Sequence, residues 1–353
     1  MRLYTFDHIR RLTDEIGMFE HADHTEPRRG HGYCTDDMAR LLIVAMREPV
    51  PIRAVRDSAR MAMQFLIDAQ DATGRIRNRR ATTGRWRDKP GVDDCWGRSL
   101  WAFGTTVRHV RNDWTRQIAL SHFDRGARQR SPYRRSMVFA ALGAANVLAI
   151  NPRNDVARLL LADAAVAIGR PLEDPDWPWP EPRLCYANAA LPEALLAAGD
   201  RLERSDLVED GLTMLRWLFD RETLDGHLSP TPVGGAGRDD SAPAFDQQPI
   251  EIAAMADACH QAAIVTGDSH WLSGVHLAAR WFTGANDVGA AMWDSASGGA
   301  YDGLQSSGPN LNQGAESTLA LVSTLQRARG IGWDTGELDV EPSRALRGAD
   351  ATR

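Results

Sequence analysis

The feature that most limits what this chain can become is an alternation between segments apolar on every side and segments with one apolar stripe. After a short mixed stretch from Phe6 to Gly17, Thr35 to Arg47 is almost wholly apolar past its polar start, and Val55 to Gln70 carries a single stripe through Val55, Ala59, Ala62, Met63 and Leu66. Asp93 to Val110 is again mostly apolar, and Trp114 to Arg128 is amphipathic. Tyr133 to Ile150 is apolar all round, and Asp155 to Arg170 is mixed. Cys185 to Gly199 is rich in Ala and Leu, and Leu207 to Glu222 is striped. Pro249 to Gly267 is Ala-rich, Ser269 to Thr283 is striped, and Asn312 to Arg329 closes the series.

A helix apolar on every side is buried on every side, whereas a striped helix keeps one wet face. Alternating the two kinds along one chain describes an inner ring of helices wrapped by an outer ring. The expected fold is therefore all-α, an (α/α)6 toroid of about twelve helices, with repeats of roughly 40 to 65 residues set by helical period rather than identity. No alternating strand pattern competes. The long connections Pro171 to Leu184, Asp225 to Gln248 and Asn286 to Leu311 have room for short hairpins. One domain is expected over residues 1–330, with 331–353, polar and unpatterned, as a frayed tail.

Composition narrows the chemistry. The chain has 353 residues, 43% hydrophobic and 25% charged, with a net charge of -6. No basic run with interleaved aromatics points to nucleic acid, and no apolar run approaches the ~20 residues a membrane span needs. The first residues, Met1 to Asp7, have no long apolar core or cleavage site of a signal peptide, and Cys34, Cys95, Cys185 and Cys259 are widely spaced. Both features lead to the expectation of a cytoplasmic protein with reduced thiols. Lys89 is the one lysine and lies in no Gly-x-x-x-x-Gly-Lys motif, which removes P-loop, Schiff-base and lysine-aldolase chemistry. No cofactor is called for.

In a ring of antiparallel pairs the inner helices run the same way, so whatever precedes each one lines a single mouth. Those segments are Gly32-Tyr33-Cys34-Thr35-Asp36-Asp37, Asp93-Asp94-Cys95-Trp96 with Arg98 one turn on, Ser131 to Arg135, Trp177-Pro178-Trp179-Pro180-Glu181 leading to Tyr186 and Asn188, Phe245 to Glu251 with Gln248, and Tyr301-Asp302 through Asn312-Gln313 to Glu316-Ser317. Acids, amides and flat aromatics suit a neutral polyhydroxylated ligand, because carboxylates and amides bond hydroxyls and aromatic faces stack on sugar rings. The acids also have structural uses. Thr35 is a good N-cap, and Asp36 and Asp94 can each pair with an arginine one turn on, Arg40 and Arg98. Adjacent helix residues point ~100° apart, however, so capping does not use both members of a pair.

Glu251, third after Pro249, is placed to reach back to the cap residue's N–H. Glu316, past that position if Asn312 is the cap, is freer to face the barrel and is the stronger candidate. Glycoside hydrolysis needs one protonated and one ionised carboxyl. A helix N-terminus favours an ionised aspartate, and an acid among aromatics favours the proton donor, so an aspartate as base and a glutamate as acid is the first assignment, the reverse remaining open. His21, His24, His31 and Cys34 lie close together, but their spacing matches no standard zinc signature, and no metal site is assigned.

The combination of Gly32 to Arg40, Asp93-Asp94-x-x-Gly97-Arg98, Phe245 to Glu251, Gly299-x-Tyr301-Asp302-Gly303-Leu304 and Asn310-x-Asn312-Gln313-Gly314-Ala315-Glu316-Ser317-Thr318 resembles the bacterial (α/α)6 glycosidase-like proteins of the six-hairpin superfamily that occur beside, or fused to, glycosyltransferases. The resemblance spans roughly residues 5 to 328. It implies action on a glycan or oligosaccharide, a cell-envelope or mannose-containing sugar among them, and a glycosyltransferase as partner. Its acidic positions fall on Asp36, Asp37, Asp93, Asp94, Glu251 and Glu316; Met38 stands where the family pattern favours Asn. Two other readings are a sugar epimerase on the same toroid, which would use inner-helix histidines where only His31 closely precedes such a helix, and a glycan-binding module without catalysis. Neither Asp-Asp pair continues into a terpene-cyclase motif.

Overall fold

A computed structural model describes residues 6–333. Its helices are α1 (Asp7–Arg11), α2 (Thr35–Arg47), α3 (Arg53–Ala69), α4 (Asp94–His109), α5 (Asp113–Gly126), α6 (Arg134–Ile150), α7 (Asp155–Ile168), α8 (Ala190–Leu202), α9 (Ser205–Arg221), α10 (Pro249–Thr266), α11 (Leu272–Phe282) and α12 (Ala315–Gly330). Even-numbered helices pack in the order α2, α4, α6, α8, α10, α12, and α12 returns to α2, closing an inner ring. Odd-numbered helices lie outside it, and the (α/α)6 toroid expected from the alternation is the fold. The expected tail, 331–353, falls almost wholly outside the described residues.

Burial follows the pattern that predicted it. On α6 every residue from Arg135 to Ala145 is buried, while α3 buries only its Val55-Ala59-Ala62-Leu66 side. Glycines bring α4 and α6 into direct backbone contact. A Cβ on Gly104 would stand 2.2 Å from the Gly143 carbonyl oxygen, and one on Gly143 would stand 2.3 Å from that of Leu100.

Two helix starts differ from expectation. The fourth inner helix begins at Ala190 rather than Cys185, because Ala187 turns left-handed at φ 48° and the Asn188 side chain takes the Cys185 N–H at 3.0 Å. The last begins at Ala315 with Gly314 as N-cap, and Asn312 instead accepts the His24 N–H at 3.0 Å. Of the long connections, the third carries the hairpin Gly303–Gln305/Gly308–Asn310, and another pairs Thr223–Leu224 with His227–Leu228. Pro171 to Leu184 forms no hairpin.

Of the helices α1 to α12, only two outer ones carry a side-chain cap bond. Outer helices α5 and α7 are capped by the side chains of Asn112 and Asn154. None of the six inner helices has a side-chain cap bond. Thr35 is not the cap of α2; it sits at the first helical position and gives its hydroxyl to the Arg77 carbonyl at 2.7 Å. The acids at these helix starts are thus released from capping, and the inner N-termini face the mouth with their positive dipole ends open.

Candidate active site

A cavity of about 380 Å³ occupies the mouth, lined by the first turns of α2, α4 and α12 and by the loops before them. Its acids are Glu20, Asp36, Asp37, Asp94, Asp302 and Glu316; its cations are Arg40, Arg79 and Arg98, with His21, Tyr186 and Gln248 beside them. Eight of the residues singled out in the sequence meet here: Asp36, Asp37, Asp94, Arg98, Tyr186, Gln248, Asp302 and Glu316.

The ion pairs cross helices rather than following one. Asp37, not Asp36, pairs with Arg40, at 2.6 Å, and the other side of the same guanidinium meets Glu316 from α12. Asp36 faces Arg98 of α4 at 3.3 Å, without hydrogen-bond alignment, and Asp94 does not take Arg98. Asp94 instead accepts from the Ser136 hydroxyl at 2.8 Å and the Tyr186 hydroxyl at 2.7 Å. Arg98 stacks over the Phe139 ring, 3.8 Å from its centroid, which fixes the floor of the cavity.

Electrostatics separates these carboxyls. Asp37 is 2% exposed, and burial pushes its carboxyl up to about 7. Arg40 opposes that shift, but Glu316 already neutralises the guanidinium and adds its own negative field. Burial alone would lower the proton affinity of Arg40; Glu316 and Asp37 outweigh it and hold the cation charged. Asp302 is also raised by burial, although it accepts the Gly314 N–H at 2.7 Å. The Tyr186 phenol is raised by burial and by Asp94, so it stays a donor.

The remaining candidates are used elsewhere. Glu251 does not reach back to its cap: its carboxyl takes the Ala187 and Asn188 N–H groups at 2.6 and 3.3 Å, pinning the loop before α8. Trp96 is fully buried and donates to the Gly126 carbonyl at 3.1 Å, a core position rather than a sugar platform. Trp177 and Trp179 pack on Trp217, and Trp177 donates to the Glu181 carbonyl. Glu181 pairs with Arg134 and Arg135, and Asn188 accepts from Arg135. Tyr33 is buried with its hydroxyl on Asp14, and Gln313 accepts from Ser297. Asp93 is the N-cap of α4 and does not line the cavity; neither do Tyr301 and Asn312.

Sequence reasoning did not place Glu20 or Arg79 at the site, and it read Arg40 only as a helix partner. Arg79 arrives on the short strand Arg79–Arg80, which pairs with Tyr33–Cys34 across α2 and α3, and it pairs with Glu20, a contact with no local signal. Glu20, Cys34 and Asp37 bring ligand-type atoms within 4.8 Å of one another. Each has another partner: Arg79 for Glu20, Arg40 for Asp37, and Asn78 for the Cys34 thiol, which burial holds far above its ordinary value.

No protein-family model and no curated protein matches this chain. Solved structures do. A sugar epimerase from a ruminal bacterium superposes with TM-score 0.69 at 12% identity, over 93% of this chain and 96% of that one. Cellobiose 2-epimerase from Bacillus thermoamylovorans gives 0.68 at 12%, over 92% and 96%. A GH76 alpha-mannanase from Bacteroides thetaiotaomicron gives 0.64 at 9%, over 92% and 93%. At such identities the common property is the (α/α)6 fold.

Proposed function

We propose that this chain is a carbohydrate-active enzyme that hydrolyses a glycosidic bond in a bacterial oligosaccharide or envelope glycan, with Asp37 as proton donor and Asp94 as the base. The observation that carries the reading is the contrast between two mouth carboxyls. Asp37 is buried and keeps a proton near neutrality, while Asp94 is held by two hydroxyl donors, Ser136 and Tyr186. This keeps an aspartate as the base, as in the first assignment, and moves the proton donor from a glutamate to a second aspartate. Glu316 acts through Arg40, setting how firmly Asp37 holds its proton.

An acid with a value of about 7 is protonated below that pH, so kcat/KM should fall as pH rises through about 7. Asp37→Asn should lose ~100- to 10,000-fold on alkyl glycosides, whose leaving oxygen needs a proton, and much less on dinitrophenyl glycosides, whose leaving group does not. Equal losses on both substrates would remove Asp37 from the donor role.

Sugar epimerisation is the second reading, favoured by the two epimerases that share the fold. It needs groups that take and return a carbon-bound proton. His109 and His260 are inner-helix histidines, but they neighbour Arg47 and Arg327, away from the mouth, and burial lowers both to about 4. His21 is the histidine lining the cavity. Incubation with free mono- and disaccharides in deuterated water separates the readings. Deuterium at the carbon beside the anomeric centre, with no cleavage of any glycoside, would replace hydrolysis by epimerisation.

A further inference from the structure

The residues lining the mouth form a closed circuit. Asp37 stands on α2, Asp94 on α4, Tyr186 before α8, Gln248 before α10 and Glu316 on α12. Between α12 and α2 the wall is the loop that carries Glu20 and His21. It is fastened to the start of α12, where the Ala315 N–H donates to the Glu20 carbonyl at 3.0 Å and the Gln313 N–H to the His24 carbonyl at 2.9 Å, and Arg79 holds the Glu20 side chain. Among the described residues, neither α6 nor the segment before it lines the mouth. That helix lies between α4 and α8, and the gap above it is bridged: the Tyr186 hydroxyl, from the α8 side, donates to Asp94, on the α4 side, at 2.7 Å.

Tyr186 is 44% exposed, yet it is fixed from behind. The buried Arg135 guanidinium of α6 lies 5.6 Å from the centre of its ring and donates to its carbonyl at 2.7 Å, while Glu251 takes the N–H of the next residue, Ala187. The floor is closed as well. Arg40 is shared by Asp37 and Glu316, and Arg98 lies on Phe139. On the barrel side of these two guanidiniums the space is only about 50 Å³, room for a water or two and not for a sugar ring. A hexose unit takes on the order of 200 Å³, the share of six or seven liquid waters, so the mouth, at about 380 Å³, encloses one unit and part of a second. A glycosidic oxygen that meets Asp37 therefore has its inner sugar in a chamber with no second exit, and that sugar has no further neighbour.

We propose that the mouth accepts the end of a glycan chain, one terminal sugar deep, and that Tyr186 is the wall that keeps an internal stretch of chain from crossing above α6. The inference rests on the reading of the mouth as a sugar site. It makes the substrate a chain terminus and the cleavage an exo cleavage: the hydroxyl of water goes to the anomeric carbon, its proton is matched by the one delivered to the leaving oxygen, and a terminal unit is released.

The test is calorimetric titration of the whole protein with linear gluco-, manno- and galacto-oligosaccharides of one to six units, joined by sulfur in place of the glycosidic oxygen so that they bind without being cut. For the sugar that binds, affinity should rise up to two units and stay level from there. Tyr186→Ala removes the wall, and its series should keep tightening, by about two- to tenfold at the third unit, the gain from one added hydrogen bond. Tyr186→Phe keeps the ring in place and should stay level like the wild type; thermal unfolding reports whether each variant folds. A wild-type series that tightens twofold or more beyond the second unit overturns the terminal pocket and leaves the sugar reading intact. A level Tyr186→Ala series overturns the role given to Tyr186. Failure of every saccharide to bind, single units included, overturns the sugar reading and the pocket with it.

Discussion

At the scale of single residues, the mouth works by sharing partners. Arg40 serves Asp37 and Glu316, and Asp94 collects hydroxyls from α6 and from the loop before α8. With Asp94 as the proposed base, Tyr186 is a positioning residue, acting on it through its hydroxyl. A hydrogen bond to a charged group contributes about 1.5–3 kcal/mol, so Tyr186→Phe should lower kcat/KM by roughly 10- to 100-fold. Ser136→Ala should lower kcat/KM in the same way, with KM little changed, because both hydroxyls act on Asp94. A rise in KM with kcat unmoved would mean that Tyr186 contacts substrate only. The doubled aspartates stood out in the sequence, and Asp36, Asp37 and Asp94 each meet a partner beyond a cap, whereas Asp93 stands at the N-cap outside the cavity. Their partners were not legible: Arg98 meets Asp36 across two helices, a relation that spacing along one helix cannot express.

At the scale of elements, the order of helices was legible because burial on all sides leaves a composition that burial on one side does not. Helix starts were less so. Ala187 and Asn188 look helical by composition, yet a left-handed residue and a side-chain bond to Cys185 postpone α8 to Ala190. The aromatic stretch Trp177 to Trp179 suggested a sugar platform and became packing for α9, because indoles beside a striped helix are worth more buried than wet. The α4–α6 contact was not anticipated at all. It depends on glycines that bring the two backbones together, with the Gly143 Cα carrying no atom toward the Leu100 carbonyl. Gly143→Ala forces backbone against backbone and should cost about 1–3 kcal/mol, read as a lower urea midpoint with an unchanged m-value. Because α4 carries Asp94 and α6 carries Ser136, the same variant should weaken activity on every substrate alike. A wild-type midpoint would show that the ring widens there without cost.

At the scale of the whole molecule, the toroid buries acids that it does not neutralise. Burial raises Asp37 and Glu222 to about 7 and Glu193 and Glu251 to about 8, while Asp257, desolvated but tied to Arg327 and Arg47, is lowered. The linkage signs are opposite. Each raised acid binds its proton more tightly folded than unfolded, so its contribution is full below about 4 and is lost as pH rises through about 7 to 8. Asp257 contributes above its unfolded value and loses that contribution as pH falls below about 4. Stability should therefore peak near pH 4 and decline from there to about pH 8, above which these acids no longer change it. Glu251 tests this best, because it lies outside the mouth and adjoins Glu222 across the loop it pins. Glu251→Gln replaces a titrating group with a neutral one of the same shape. It should lower stability at pH 5.5, where one of the two amide bonds to the loop is lost, and lower it less at pH 8.5, where the wild type has begun to bear the cost of a buried charge. Urea unfolding at the two pH values gives the comparison, and an identical difference at both would mean that Glu251 does not titrate in this range.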